Sequence, residues 1–166
     1  MTEEKTSVTR DLVVYLLVRT DLPSMNSGKA MAQVHHAGVQ MAANCKDSTL
    51  FMNYLEDGVK AGANSFNTTL SLGATLNDIE TIFTRAMHNL PTINLEFGQV
   101  IDPSYPFVLD AEVADLLSSN PLVKFEKSLD GGKVLFTRHE TTCAWFLGDR
   151  NDDNFRNLFS TLNLHP

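Results

Sequence analysis

Between Asp11 and Arg19 the chain reads Leu12-Val13-Val14-Tyr15-Leu16-Leu17-Val18. The run lacks the apolar and polar alternation of a strand with one wet face. Being continuous, apolar and rich in β-branched residues, it predicts a strand over 11–19 that is buried on both faces and central in its sheet. A loop with Pro23, Ser24 and Asn26 follows, and Ser27-Gly28-Lys29 opens a periodic segment to about Cys45. That segment predicts a first helix with Asn26 or Ser27 as its N-cap. Residues 48–61 read as a second helix ending near Gly62, and 65–72 as a strand that Gly73 breaks.

Farther along, 77–90 predicts a third helix, with Leu76, Ile79, Ile82, Phe83, Ala86 and Met87 inward and Pro91 stopping it. Residues 93–101 are extended. Asp102-Pro103-Ser104-Tyr105-Pro106 reads as a turn that ends this third strand, because two prolines lack the N–H a ladder needs. A short helix over 110–118 capped by Asp110, a hairpin of 123–129 with 133–137 about Gly131-Gly132, a last strand over 141–147 and a closing helix over 151–162 complete the reading. The hairpin has packable apolar positions at Val123, Phe125, Val134 and Phe136. The order predicts a layered α/β/α domain with a small mixed four-stranded sheet, plus an inserted helix and β-hairpin. We expect one domain over 1–166 with an insertion at about 107–139.

Thirteen Lys and Arg against 20 Asp and Glu give a net charge of −7, which argues against a protein that coats nucleic acid, because phosphate binding is driven by released counterions. Contact with RNA should then be local, and Lys124, Lys127, Lys133 and Arg138 form the densest positive charge. The apolar run at 12–18 is too short to cross a membrane, so a soluble cytoplasmic protein is expected. Cys45 and Cys143 should be reduced and buried. Five histidines and two cysteines show no paired zinc spacing, and no Gly-x-Ser-x-Gly occurs, so neither a metal nor another cofactor is expected.

On the first helix, Lys29, Gln33, His36 and Gln40 fall within a stripe about 60° wide. Met31, Val34, Gly38, Met41 and Cys45 lie opposite, so the polar stripe should point away from the core. Lys29 in the first turn sits beside the positive helix end and calls for compensation, and Gly28 allows close approach. An Asp at the carboxyl end of one strand and a Lys opening the helix after a neighbouring strand meet at one edge of an α/β sheet, which predicts a Lys29–Asp102 pair.

Tyr15-Leu16-Leu17-Val18-Arg19-Thr20-Asp21-Leu22, then Met25, then Ser27-Gly28-Lys29-Ala30-Met31-Ala32-Gln33-Val34-His35-His36-Ala37 resembles the opening strand, loop and helix of type 2 peptidyl-tRNA hydrolases. Lys29, Gln33 and His36 fall on the family's motif positions. Asp102 matches the Asp that ends the family's third strand, and Thr142, with Thr141 as a one-residue slip, matches a further Thr. The family's Asp-Ala-Gly-x-Thr is here Asp102-Pro103-Ser104-Tyr105-Pro106. The resemblance implies cleavage of the ester in peptidyl-tRNA, with Lys29, Asp102, Thr142 and His36 catalytic. His36 also admits a purely structural role. Arg19, Ser27, Gly28 and Gln33, together with the basic Lys124, Lys127, Lys133 and Arg138, are the substrate-binding candidates. The partner implied is peptidyl-tRNA; a homodimer is compatible with it. The competing reading is a catalytically impaired member of the fold serving as a protein-interaction or RNA-binding module.

Overall fold

In the computed structural model residues 10–60, 67–117, 119–121 and 123–165 are described. In chain order the elements are β1 (Leu12–Arg19), α1 (Ser27–Asn44), α2 (Thr49–Lys60), β2 (Thr68–Ala74), α3 (Leu76–Asn89), β3 (Leu95–Asp110), α4 (Ala111–Leu117), β4 (Val123–Leu129), β5 (Lys133–Asp149), α5 (Asp153–Asn157) and β6 (Asn163–Leu164). Every residue of β1 is buried, as its unbroken apolar run predicts. β1 pairs in parallel with β2 on one side and antiparallel with β5 on the other.

Helices cover both faces of the sheet. Val14, Leu16 and Val18 of β1 and Cys143, Trp145 and Leu147 of β5 pack against Ala30, Ala37 and Met41 of α1 and Leu50, Phe51 and Tyr54 of α2. Val13, Tyr15, Leu17, Ala144 and Phe146 face Ile79, Ile82 and Ala86 of α3 and Phe155 of α5. α3 begins with a full capping box, Thr75 and Asp78 bonding each other's backbone N–H. Met87, expected inward, is exposed. Among the described residues no helix is long and apolar enough to cross a membrane.

The sheet is larger than predicted: six strands among the described residues, not four, in the path β3-β5-β1-β2-β6 with β4 added to β5. Three departures account for the difference. First, β3 does not end at Asp102 but runs to Asp110, because it lies at the sheet's edge, where proline's missing N–H can face an unpaired side. The ladder shifts register between Asp102 and Tyr105 and then resumes, with Pro106 opposite Thr137. Second, the hairpin strand and the last strand are one strand, β5, whose outer part pairs with both β3 and β4. The insertion is thus an outward extension of the sheet carrying α4. Phe107, Leu109, Ala114, Val123, Val134 and Phe136 form its own small core, whereas Phe125 is 61% exposed.

Third, the closing helix shrinks to α5. Past it, Leu158, Phe159 and Leu162 donate to carbonyls only three residues back, a tight-turn pattern that ends in β6. β6 pairs with β2, and Gly73, expected to break that strand, lies inside it opposite Asn163. The predicted Gly62 terminus and the start of the 65–72 strand lie outside the described residues.

Gly98 is held small by the sheet. A Cβ there would lie 2.7 Å from the Trp145 indole, a rigid group packed in the core. Gly98→Ala should therefore cost about 1–3 kcal/mol, read as a lower midpoint of urea unfolding. An unchanged midpoint would show that the indole shifts freely.

Candidate active site

The N-cap of α1 is Asn26, whose side chain accepts from the Lys29 backbone N–H at 3.0 Å. This fixes Lys29 in the first turn, where no acidic residue compensates it. Its ammonium instead lies over the ring of Tyr105, 5.2 Å from the centroid, where the negative ring face attracts a cation. Tyr105 is anchored in turn. Ser24 Oγ lies 2.8 Å from the Tyr105 hydroxyl and 3.1 Å from the Pro106 carbonyl. With one proton to give, Ser24 donates to the carbonyl and accepts from the phenol.

One turn along α1, Gln33 is buried rather than solvated, contrary to the expectation that the whole polar stripe faces away. The buried face is Ala30, Gln33, Ala37 and Met41; Met31 and Gly38, expected inward, are exposed. The reason lies in β5. Val100 pairs with Cys143 and Ile101 with Thr141, which leaves Thr142 as the extra residue of a β-bulge. A bulge re-aims a side chain, and here it turns the Thr142 hydroxyl to the α1 face of the sheet. Thr142 Oγ1 donates to Gln33 Oε1 at 2.7 Å, and Gln33 Nε2 donates to Asp102 Oδ2 at 3.4 Å. The amide can face only this way, because the ionised carboxylate accepts and cannot donate. Asp102 Oδ1 accepts the Ser104 N–H at 2.9 Å.

Asp102 and Gln33 share an open cavity of about 290 Å³ with His36, Gln40, Val100, Ile101 and Pro103. His36 is an exposed part of its wall, and Gln40 is held by the Trp145 indole N–H at 2.8 Å. Among the described residues no ion pair joins Lys29 to Asp102. Gln33 takes the carboxylate and Tyr105 takes the ammonium.

The other predicted contacts divide. Arg19 is buried, with Nη1 donating to Glu140 and to the Thr141 carbonyl, both at 2.8 Å, and Nε donating to Asp21. Arg138 meets Glu140 at 2.6 Å and stacks over Phe107, and Lys133 lies 3.9 Å from Asp110. Lys124, Ser27 and Gly28 are exposed, and the Lys127 side chain lies outside the described residues. Tyr105, Ser24 and Glu140 escaped the sequence reading. The alternation Tyr105, Phe107, Leu109 was a signal for the first of them, obscured by the prolines. Burial pushes the thiols of Cys45 and Cys143 up to about 11 and about 12, so neither is a nucleophile near neutrality.

Residues 12–84 match the family described as peptidyl-tRNA hydrolase PTH2. Over that stretch, which is less than half of the chain, the sequence is similar to the type 2 peptidyl-tRNA hydrolase family. The stretch includes Arg19, Ser27, Gly28, Lys29, Gln33 and His36, while Asp102 and Thr142 lie beyond it. No protein with a curated description matches the chain significantly. A solved structure of a protein of unknown function from Agrobacterium tumefaciens is similar at 13% identity and a TM-score of 0.48, covering 95% of this chain and 100% of that one. That likeness is too loose to bear on the site.

Two tests follow from this family-like rim. Thr142→Val removes the donor to a buried amide oxygen and should cost about 1–3 kcal/mol in urea unfolding; no loss would mean that Gln33 finds another donor. At Asp21, desolvation raises the carboxyl pKa, but the hydrogen bonds and charge of Arg19 and the Leu76 N–H outweigh it and hold it below the usual range. A carboxylate with a depressed folded pKa stabilises the fold above its unfolded pKa and loses that contribution as pH falls through the folded value. Acid unfolding of Asp21→Asn should accordingly be less steep below about pH 4 than in the wild type. Parallel curves would assign acid sensitivity to other groups.

Proposed function

We propose that the protein is a peptidyl-tRNA hydrolase that cleaves the ester between a peptide and the terminal ribose of tRNA. The observation that carries this reading is the hydrogen-bonded series Thr142, Gln33, Asp102, with Lys29 one turn before Gln33 on the same family-matched helix. Both oxygens of Asp102 accept hydrogen bonds, so its carboxylate has a fixed direction at the cavity.

In the proposed reaction Asp102 takes a proton from a water molecule as that water's oxygen bonds to the ester carbon. The carbonyl electrons move to oxygen, and the Lys29 ammonium stabilises the charge that develops there. Collapse of this intermediate breaks the bond to the ribose oxygen, which leaves with the proton returned from Asp102. His36, on the same wall, is the alternative proton carrier. Thr142 acts through Gln33 and is a positioning residue. The reaction calls for neither metal nor organic cofactor, and it belongs in the cytoplasm, where peptidyl-tRNA arises.

Release of free tRNA from an N-acetylated aminoacyl-tRNA tests the reading. Lys29→Ala and Asp102→Asn should each lower kcat/KM more than about tenfold while leaving the unfolding midpoint near that of the wild type. Wild-type turnover in either variant would take that residue out of the mechanism. A wild-type protein that releases no tRNA would refute the function itself.

A further inference from the structure

The arm beyond the sheet edge borders a second open cavity of about 610 Å³, walled by the Leu22–Ser24 loop, by Tyr105, Phe107, Val108 and Leu109 of β3, by Val113, Leu116 and Leu117 of α4, and by Arg138. We propose that this cavity receives the bulky apolar side chain of the amino acid esterified to tRNA, so that the arm selects peptides ending in such a residue. The proposal rests on the hydrolase reading and adds the substrate class.

Three observations support it. Position is the first: Tyr105 lines this cavity and also carries the Lys29 ammonium over its ring, so an ester placed at Lys29 has its acyl group beside the cavity. The second is size and lining. The volume falls within the range of about 300–1,000 Å³ typical of small-molecule sites. Val108, Val113 and Leu116 around it are 49%, 44% and 78% exposed, apolar surface that an apolar occupant would cover.

Charge is the third. Among the described residues Arg138 is the one cation of the wall, and Glu140 pairs with it at 2.6 Å. The hydroxyls of Ser24 and Tyr105 bond each other. Among the described residues a free carboxylate or a phosphate finds no uncompensated cation in the wall, which favours a neutral, amide-bearing group over a fatty acid or the tRNA backbone.

The test compares kcat/KM on N-acetyl-Phe-tRNA and N-acetyl-Gly-tRNA. The wild type should prefer the first by at least about tenfold, and Val113→Asp with Leu116→Asp should bring the ratio near one. Both side chains stand at the exposed rim of α4, so the double variant keeps the arm's core of Phe107, Val134 and Phe136. A wild-type ratio near one, or a preference that survives the double variant, overturns the proposal. A binding measurement separates it from the catalytic reading. N-acetyl-phenylalaninamide should shift the methyl resonances of Val113 and Leu116, while N-acetyl-glycinamide should not. If the amide binds there but no tRNA is released, the cavity keeps its ligand class and the hydrolase reading fails. If decanoate binds there and the amide does not, the cavity is a fatty-acid site and the proposal is wrong.

Discussion

The eight residues of β1 are buried without exception, so none of their backbone groups has water as a partner and both edges must be satisfied by other strands. β2 and β5 supply them. Because the side chains alternate between two faces, each face must also be covered by helices, which is why the chain folds in layers. A parallel neighbour cannot be reached by a tight turn. The crossover from β1 to β2 therefore runs through α1 and α2, which brings the start of α1 to the carboxyl end of β1. That edge is where an α/β sheet offers helix termini and strand ends to a ligand.

At this edge a local irregularity decides which groups meet. Without the extra residue in β5, Thr142 would follow the strand's alternation and face away from α1. With it, the hydroxyl reaches Gln33 and the amide is left one donor for Asp102. Thr142 and Gln33 are both buried, and leaving a buried amide oxygen without its donor costs more than the met bond contributes. α1, β3 and β5 are thus joined at a point where misplacing any one of them is penalised. Thr142, Gln33 and Asp102 sit on three elements and form one hydrogen-bonded series, while Lys29 is held separately by Tyr105.

Much of this was legible in the sequence. The run 12–18 predicts the central strand, a cap at Asn26 or Ser27 predicts the start of α1, and the Gly-Lys-x-x-x-Gln-x-x-His spacing places Lys29, Gln33 and His36 on neighbouring turns. The burial of Gln33 was not legible, because helical periodicity ranks it with its polar neighbours and only the bulge at Thr142 provides a buried partner. Bulges leave no mark in residue type. The length of β3 was hidden for a related reason: Pro103 and Pro106 forbid a central strand but not an edge strand, and edge position belongs to the whole sheet. The closing helix was overcalled since Phe155, Leu158, Phe159 and Leu162 have helical spacing, yet a tight turn can bury the same residues. The Lys29–Asp102 pair was expected from opposite charges at one rim; neutral partners met each charge instead.

The inserted arm was expected as a separate helix and hairpin, and its attachment to the sheet changes what it can do. β3 and β5 stay paired from the layered domain out to Asp110 and Lys133, interrupted by two register shifts, so the arm continues the sheet's own ladder. At its root, Glu140 accepts from Arg19 at one oxygen and meets Arg138 at the other, and Arg19 also holds Asp21. Two guanidinium groups and two carboxylates balance there in a partly buried cluster. Lifting the arm would pull Glu140 away from Arg19, both of them buried, and removing one partner of a buried pair is costly, on the order of several kcal/mol. The ladder and the cluster oppose the same motion. The arm accordingly serves as a fixed wall beside Lys29 and Tyr105, and what it contributes to selectivity comes from the shape of that wall, with no lid movement required.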